Sequence, residues 1–447
     1  MPSFVLKSSI QRVEVEAARR QPEPILPELV SRSCSLEEYE PVEVPSVDVS
    51  DEIIAYTSPD STYAVTRRLM DGARKSILIG IYDFSAPHVT ELLSAALARG
   101  VSIKLMLDID SKGERKLFDE LIDMGIEGIP APSCASERVH FFRSSHEKVI
   151  VIDGEWCLVQ SGNYSTNSIP LNVVDGGDPA RFRHGNRDTG LAIRSKRLAA
   201  FFTKILDSDM ALEINAPEAL ARVAEVVDVV MVESAPKKIP DQLFPSKLFK
   251  LTKPLTIQPV LSPDNYMDVV PDLLRQARKS ILIEQQYIRA GQDNIKDLLA
   301  AMKEARDRNP KLDIRIILGK IFNQKDIAKE KKNLDSLKKT NGLKLGTNIR
   351  YIDTDRFVHC HNKMILIDGK GVLVSSQNWS SAAVSENREA GLWLEHSGIC
   401  RYFTDIFESD WSTARKKLPG PSPEFLAPEA LSRGGFVRVV PADYREV

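Results

Sequence analysis

The stretch HEKVIVIDGEWCLVQSGNYS (146–165) returns later in the chain as HNKMILIDGKGVLVSSQNWS (361–380). Each copy reads as an apolar strand, an Asp-Gly turn and a second apolar strand, the pattern of a hairpin. The likeness extends outward. TSPDSTYAVTRRLMDGARKSILIGIYDF (57–84) matches LSPDNYMDVVPDLLRQARKSILIEQQYI (261–288), and NRDTGLAI (186–193) matches NREAGLWL (387–394). Self-similarity over such long segments means two homologous lobes. Within each lobe a helical apolar period (Val65, Leu69, Ala73) alternates with short apolar strands, which predicts an α/β sheet covered by helices on both faces.

Changing offsets between the copies place extra residues in IAKEKKNLDSLKKTNGLKLG (327–346) and in TNSIPLNVVDGGDPARFRH (166–184), the latter a loop suited to cover a substrate mouth. The expected organisation is a Pro/Glu-rich, extended or wrapping N-terminal extension (1–50), a first lobe (51–210), a connection (211–255), a second lobe (256–417) and a Pro-rich tail (418–447).

Composition narrows the function. The 447 residues are 43% hydrophobic and 27% charged with a formal charge of −2, so no global field draws the protein to polyanions. Nucleic acid would need a local basic patch. Cys34, Cys134, Cys157, Cys360 and Cys400 show no C-x-x-C spacing, so neither a disulfide framework nor a zinc site is expected, and a reducing cytoplasmic setting is the simpler reading. No run approaches the ~18 apolar residues of a spanning helix. Lys7 also breaks the short N-terminal apolar run, which therefore lacks a signal-peptide core.

On a strand, residues two apart share a face, so His146 and Lys148 point together, as do His361 and Lys363. Asp153 and Asp368 fall at odd spacing beside glycine, which assigns them to bracing turn backbone. On the returning strand Ser161 and Asn163 share a face, and so do Ser376 and Asn378, coming back beside the His/Lys pair. Two imidazoles, two ammonium groups, two hydroxyls and two carboxamides suit a phosphate diester. One neutral His attacks phosphorus to give a phosphohistidine. The other donates a proton to the leaving oxygen and then takes one from water or an alcohol. Lysines and asparagines hold the non-bridging oxygens. A nucleophilic imidazole needs an acceptor at its second nitrogen; Asp188 and Glu389 are the candidates, and which serves which histidine stays open. Their alternative partners are Arg187 and Arg388.

Other residues have plainer readings. His359 shares parity with His361 and could line the pocket, but without a carboxylate cluster no metal is expected. His140 and His184 are loop residues, His184 ending the insertion within reach of the pocket. The Lys-rich segment 325–344 is a solvated helix face whose functional alternative is contact with an anionic surface. Trp379 and Trp393 are core residues, and Cys157 and Cys360 are small buried ones.

HxKxxxxD followed by Ser-x-Asn, occurring twice, resembles the HKD signature of the phospholipase D superfamily, over roughly residues 52–210 and 256–415. IEQQYI (283–288) is similar to the Glu-x-Gln-Tyr strand of its phospholipase-type members. The resemblance implies two α-β-α lobes with mixed sheets related by a pseudo-two-fold, both motifs meeting at the lobe interface. It also implies His146 as nucleophile, His361 as general acid/base, and no metal or cofactor. The chain departs from the pattern at Gln160 and Ser375, where glycine usually precedes the serine, and at Asp188, where glutamate is usual. The resulting expectation is a monomeric, cytoplasmic enzyme, peripheral to a membrane, that hydrolyses or transphosphatidylates glycerophospholipids. A nuclease on the same machinery is the alternative, and a catalytically idle binding protein the third; the intact His/Lys/Asn sets speak against the last.

Overall fold

The structure is a computed structural model that describes residues 34–109, 112–171, 185–216, 230–231, 244–321, 324–419 and 438–439. The first half runs β1 (Val47–Val49), β2 (Glu52–Ser58), α1 (Thr62–Gly72), β3 (Ser76–Ile81), α2 (Pro87–Ala98), β4 (Ser102–Leu107), α3 (Lys112–Asp123), β5 (Glu127–Pro130), β6 (Lys148–Ile152), β7 (Trp156–Gln160), β8 (Asp188–Arg194) and α4 (Lys196–Ile214). After β9 (Val230–Met231) and β10 (Lys247–Lys250) the second half repeats the order. It comprises β11 (Leu255–Ser262), α5 (Tyr266–Gln276), β12 (Ser280–Gln285), α6 (Asp293–Arg308), β13 (Asp313–Leu318), α7 (Gln324–Asn341), β14 (Ile349–Tyr351), β15 (Lys363–Ile367), β16 (Gly371–Ser375), α8 (Ser381–Ser385), β17 (Glu389–Glu395) and α9 (Ser397–Thr413). A short β18 (Arg438–Val439) pairs with β9.

Each half builds a mixed eight-stranded sheet, in the orders β10-β2-β8-β7-β6-β3-β4-β5 and β1-β11-β17-β16-β15-β12-β13-β14. The βαβ crossovers give parallel β3-β4-β5 and β12-β13-β14, and the motif hairpins add antiparallel β6-β7 and β15-β16. The orders correspond strand for strand. One edge of each sheet is exchanged: β1, just ahead of β2, pairs with β11, and β10, just ahead of β11, pairs with β2. Each edge strand thus staples its own lobe to the other.

Alternate residues of the strands feed two different cores. Ile77, Ile79, Ile150 and Ile152 pack outward under α1 and α2, and Ile281, Ile283, Ile365 and Ile367 do so in the second lobe. Val149, Val151, Leu282, Met364 and Leu366 point inward to a shared core with Phe202 of α4 and Phe403 of α9. The two sheets therefore face each other across one apolar layer, and the interface is as much a core as either lobe's own.

The chain from Cys34 to Ser46 runs over this seam. Glu37 N donates to His140 O in the first lobe (2.8 Å), and Val42 N donates to Asp264 Oδ1 in the second (2.8 Å). One expectation is corrected: Cys34 and Cys134 form a disulfide, with Cα atoms 5.8 Å apart across a sequence separation of 100. Nothing in the cysteine spacing signals a pair brought together by tertiary folding. Cys157, Cys360 and Cys400 are free and buried. Trp379 and Trp393 lie in the second lobe's core. Among the described residues no helix is long and apolar enough to cross a membrane. Residues 172–184 of the insertion, His184 included, and most of the tail lie outside the described residues.

Candidate active site

The motif hairpins close through left-handed turns: φ is +55° at Asp153 and +64° at Gly154, +57° at Asp368 and +68° at Gly369. Two consecutive positive φ values make the turn that matches strand twist, and Asp-Gly adopts it readily. Asp153 accepts from the N–H groups of Arg74, Lys75 and Ser76 at 2.7–3.1 Å. Asp368 accepts from Arg278, Lys279 and Ser280 at 2.6–3.0 Å. The repeated ARKS segments are the backbone these aspartates hold, and both carboxylates sit at the far end of the hairpin from the His/Lys pair.

At the near end the lobes interlock through backbone. His146 N donates to Arg388 O (2.7 Å) and Arg388 N to Ser144 O (2.9 Å); equivalently, Arg187 N donates to His359 O (2.8 Å) and His361 N to Arg187 O (3.1 Å). Each motif is thereby laid against the other lobe's Asn-Arg-acid segment. The acids pair crosswise as a result. His146 Nδ1 lies 2.8 Å from Glu389 Oε2, and His361 Nδ1 lies 3.0 Å from Asp188 Oδ1. The two imidazole centroids are 6.5 Å apart, a gap suited to one tetrahedral phosphorus.

The surroundings are dry: His146, Lys148, His361 and Lys363 are all at most 2% exposed. Burial, reinforced by Lys148, Lys363 and His361, drives His146 well below the ordinary imidazole range. Burial and Lys363 bring His361 down to about 4, with Asp188 pulling the other way. The two acids differ. Burial pushes Glu389 up to about 8, against the pull of Lys148, Ser376 and Asn387. Burial also opposes ionisation of Asp188, but His361, Lys363 and Ser161 outweigh it and hold this carboxyl below its ordinary value. The lysines are fixed by backbone: Lys148 Nζ donates to His146 O (2.5 Å), and Lys363 Nζ to His361 O (2.6 Å), with His361 Nε2 at 3.1 Å.

The serines brace the acids. Ser161 Oγ donates to Asp188 Oδ1 (2.8 Å) and accepts from Thr189 N (3.0 Å), while Ser376 Oγ accepts from Ala390 N (3.0 Å) and bonds the Glu389 side chain. The asparagines behave differently. Among the described residues neither polar atom of the Asn163 side chain, nor Asn378 Oδ1, has a hydrogen-bond partner, although both side chains are buried. Buried polar atoms without a protein partner are rare and are open to ordered water or a ligand.

Arg187 and Arg388 do not serve the neighbouring acids. Arg187 donates to Asp410 across the interface (2.7 and 3.1 Å) and to Asp60 of its own lobe (3.2 Å). Arg388 mirrors it, donating to Asp209 (2.8 Å) and to Asp264. Asp60 and Asp264 are the acids of the repeated Ser-Pro-Asp triplets, so that repeat also belongs to the interface. His359 stands beside the site, its ring 6.4 Å from that of His361 and its Nδ1 accepting from Lys320 N (3.0 Å). A Cβ on Gly319 would lie 2.1 Å from His359 Cε1, so the glycine makes its place. His140 is a half-buried loop residue. Among the described residues no cluster of His, Cys, Asp or Glu could hold a metal ion.

Tyr82 is a site residue the sequence reading did not single out. Its ring packs 4.7 Å from the His146 ring and 5.4 Å from Lys148 Nζ. The signal was its place at the end of β3, beside the first residue of β6. Asn362 was missed too: its Oδ1 accepts from Thr189 Oγ1 of the other lobe (2.6 Å) and from Lys363 N (3.0 Å).

The chain matches the family described as the PLD-like domain of cardiolipin synthase over residues 66–210 and 270–411, one segment in each half. It is 31% identical over 122 residues to the DISARM protein DrmC of Bacillus paralicheniformis, 26% of this chain and 48% of that protein. Identity to a phospholipase D of Rickettsia bellii is 27% over 123 residues, 26% of this chain and 55% of the relative. The chain thus spans about half the length of these curated relatives. Its fold is similar to that of phosphatidylserine synthase from Haemophilus influenzae, with a TM-score of 0.59 at 14% identity over 83% of this chain and 89% of that one. Both motif-bearing halves carry the family match and together form the duplicated fold, so the chain belongs to the phospholipase D superfamily.

Proposed function

We propose that this chain is a phosphodiesterase that hydrolyses, or transfers the phosphatidyl group of, glycerophospholipids. The observation that carries the reading is the pair of buried imidazoles His146 and His361, 6.5 Å apart, each set against an acid of the other lobe. His146 Nε2 attacks phosphorus and the P–O bond to the head group breaks; the leaving oxygen takes a proton from His361. Water or an alcohol then gives its proton to His361, attacks phosphorus and breaks the P–N bond. Asymmetry in the acids supports this division. Asp188 is held as an anion and stabilises an imidazolium at His361, whereas the cations around His146 keep it neutral and nucleophilic. In the free site His361 is neutral as well. An arriving diester anion offsets Lys148 and Lys363 and raises its proton affinity, so substrate loads the acid. Lys148, Lys363, Asn163 and Asn378 hold the non-bridging oxygens, and Ser161 and Ser376 keep the acids in place. No step in this scheme calls on a metal or cofactor.

The lipid assignment is supported by the names of the matched family and of two relatives, and by an overall charge that offers polyanions no general attraction. On this reading the protein works peripherally at a membrane surface, as a monomer. Nucleic acid is the second reading. Its observation is α7, whose Lys329, Lys331, Lys332, Lys338 and Lys339 are all exposed. The deciding experiment offers the purified protein phosphatidylcholine vesicles and single- and double-stranded DNA, all in EDTA. Choline release without DNA cleavage supports the lipid reading; cleavage of DNA alone overturns it.

A further inference from the structure

The repeats differ at two linked positions. β3 carries Gly80 where β12 carries Glu284, and the first motif carries Glu147 where the second carries Asn362. All four positions face the shared interface core, the opposite side of the strands from the His/Lys pairs. In the second lobe Glu284 Oε2 accepts from Asn362 Nδ2 (2.8 Å), while Oε1 meets no donor among the described residues. That glutamate is in hydrogen-bond contact with the Asp410 carboxyl, both of whose oxygens already accept from Arg187. Two carboxyls in contact need a proton between them. Burial raises both carboxyls, but the Arg187 guanidinium opposes it at Asp410, which leaves the shared proton on Glu284.

The first lobe brings a glutamate beside its own arginine–aspartate pair by another route. Glu147 is buried, bonded by Ser145 Oγ and set against Asp209, the partner of Arg388. A Cβ at Gly80 would lie 2.4 Å from Leu206 Cδ2 and 3.0 Å from Glu147 Oε1, so the glycine makes room first for Leu206 and also for Glu147. Each arginine is thus surrounded by a Glu and two Asp residues, although the two glutamates come from non-equivalent strands. Glu284 is faced by Asp410, Arg187 and Asn362, with Asp60 and Arg356 acting on Asp410. Facing Glu147 are Asp209, Arg388 and Ser145, with Asp264 acting on Asp209. A recurrent acid triplet around one guanidinium, rebuilt from different positions, marks the third carboxyl as a requirement of the interface.

We propose that Glu284 is a positioning residue, kept protonated at neutral pH so that it fastens its motif strand to the cross-lobe Arg187–Asp410 pair, and that Glu147 takes the corresponding place beside Arg388 and Asp209. Burial supports this, pushing Glu147 up to about 7 and Glu284 up to about 8. Ionised Glu284 would be repelled by Asp410 and displaced, carrying with it its hydrogen-bond donor Asn362, which ties Lys363 N to Thr189, the neighbour of Asp188. The consequence for turnover rests on the catalytic reading above; the protonation does not.

Infrared spectroscopy tests the proton directly, since a protonated carboxyl absorbs apart from a carboxylate. At pH 7 the Glu147→Gln and Glu284→Gln variants should each lose part of the wild-type band. In wild-type protein labelled with 13C-glutamate, that band should fade as pH rises through about 7 and about 8. Glutamine, a neutral mimic, should keep kcat within about twofold and move the alkaline fall in activity, whereas Glu284→Ala should cost about tenfold or more through misplacement of the site. A band unchanged in both glutamine variants overturns the protonation, and glutamine as damaging as alanine overturns the positioning role. If the chain turns over no diester, the infrared result still stands, so the two readings fail separately.

Discussion

At the scale of single residues, the site is a pair of imidazoles whose second nitrogens face unlike acids. Asp188 is held ionised, so Asp188→Asn removes a charge the mechanism uses and should lower kcat by about 10²–10⁴-fold. Glu389, pushed up to about 8, is largely protonated at pH 7, so Glu389→Gln should cost far less. Equal losses in steady-state assays of the two variants would remove the argument for divided roles. The His/Lys pairs, asparagines and acids were legible because strand parity and duplication act at the level of neighbours in sequence. Which acid serves which histidine was not legible, since parity fixes a face and says nothing of the opposing lobe. The alternative pairing of the acids with their neighbouring arginines does not form: side chains on consecutive residues point apart, and Arg187 goes to Asp410.

At the scale of elements, the hairpin turns are independent of the chemistry. Asp153→Ala removes an acceptor for three N–H groups and should destabilise the fold by about 2 kcal/mol in urea titrations while leaving KM unchanged. A large change in KM with unaltered stability would move Asp153 back towards the substrate. The Asp-Gly signal made this turn readable in the sequence. The edge strands β1 and β10 were not readable: they are three and four residues long, flanked by Pro- and Glu-rich or unpatterned chain, and their partners lie in the other lobe. Short strands carry too little periodicity to declare themselves, and the sheet edge that receives them decides their conformation.

At the scale of the whole molecule, the lobes are fastened by crossed arginines over a common core. Removing Arg388 would leave Asp209 and Asp264 buried without their cation, so Arg388→Ala should lower stability by about 3–5 kcal/mol in chemical denaturation. A change under 1 kcal/mol, roughly that of a surface pair, would show the cross-lobe pairing to be incidental. The neutral glutamates give the fold a pH dependence of definite sign. Their carboxyls ordinarily titrate at 4.5 but at about 7 and about 8 in the fold, so their contribution is complete below about 4.5 and is lost as pH rises to about 8. Urea midpoints should therefore fall over that window and fall less in Glu284→Gln; equal slopes would refute the linkage. In the proposed mechanism the two lobes present one histidine as nucleophile and the other as acid and base. Rapid quench into alkaline denaturant, which spares the P–N bond, with a phosphodiester whose acidic phenol leaves without a proton, followed by peptide mass spectrometry, tests it most directly. A phosphoryl adduct is expected on His146, absent in His146→Ala and accumulating when His361 is replaced; an adduct on His361, or full turnover by His146→Ala, would overturn this division of roles.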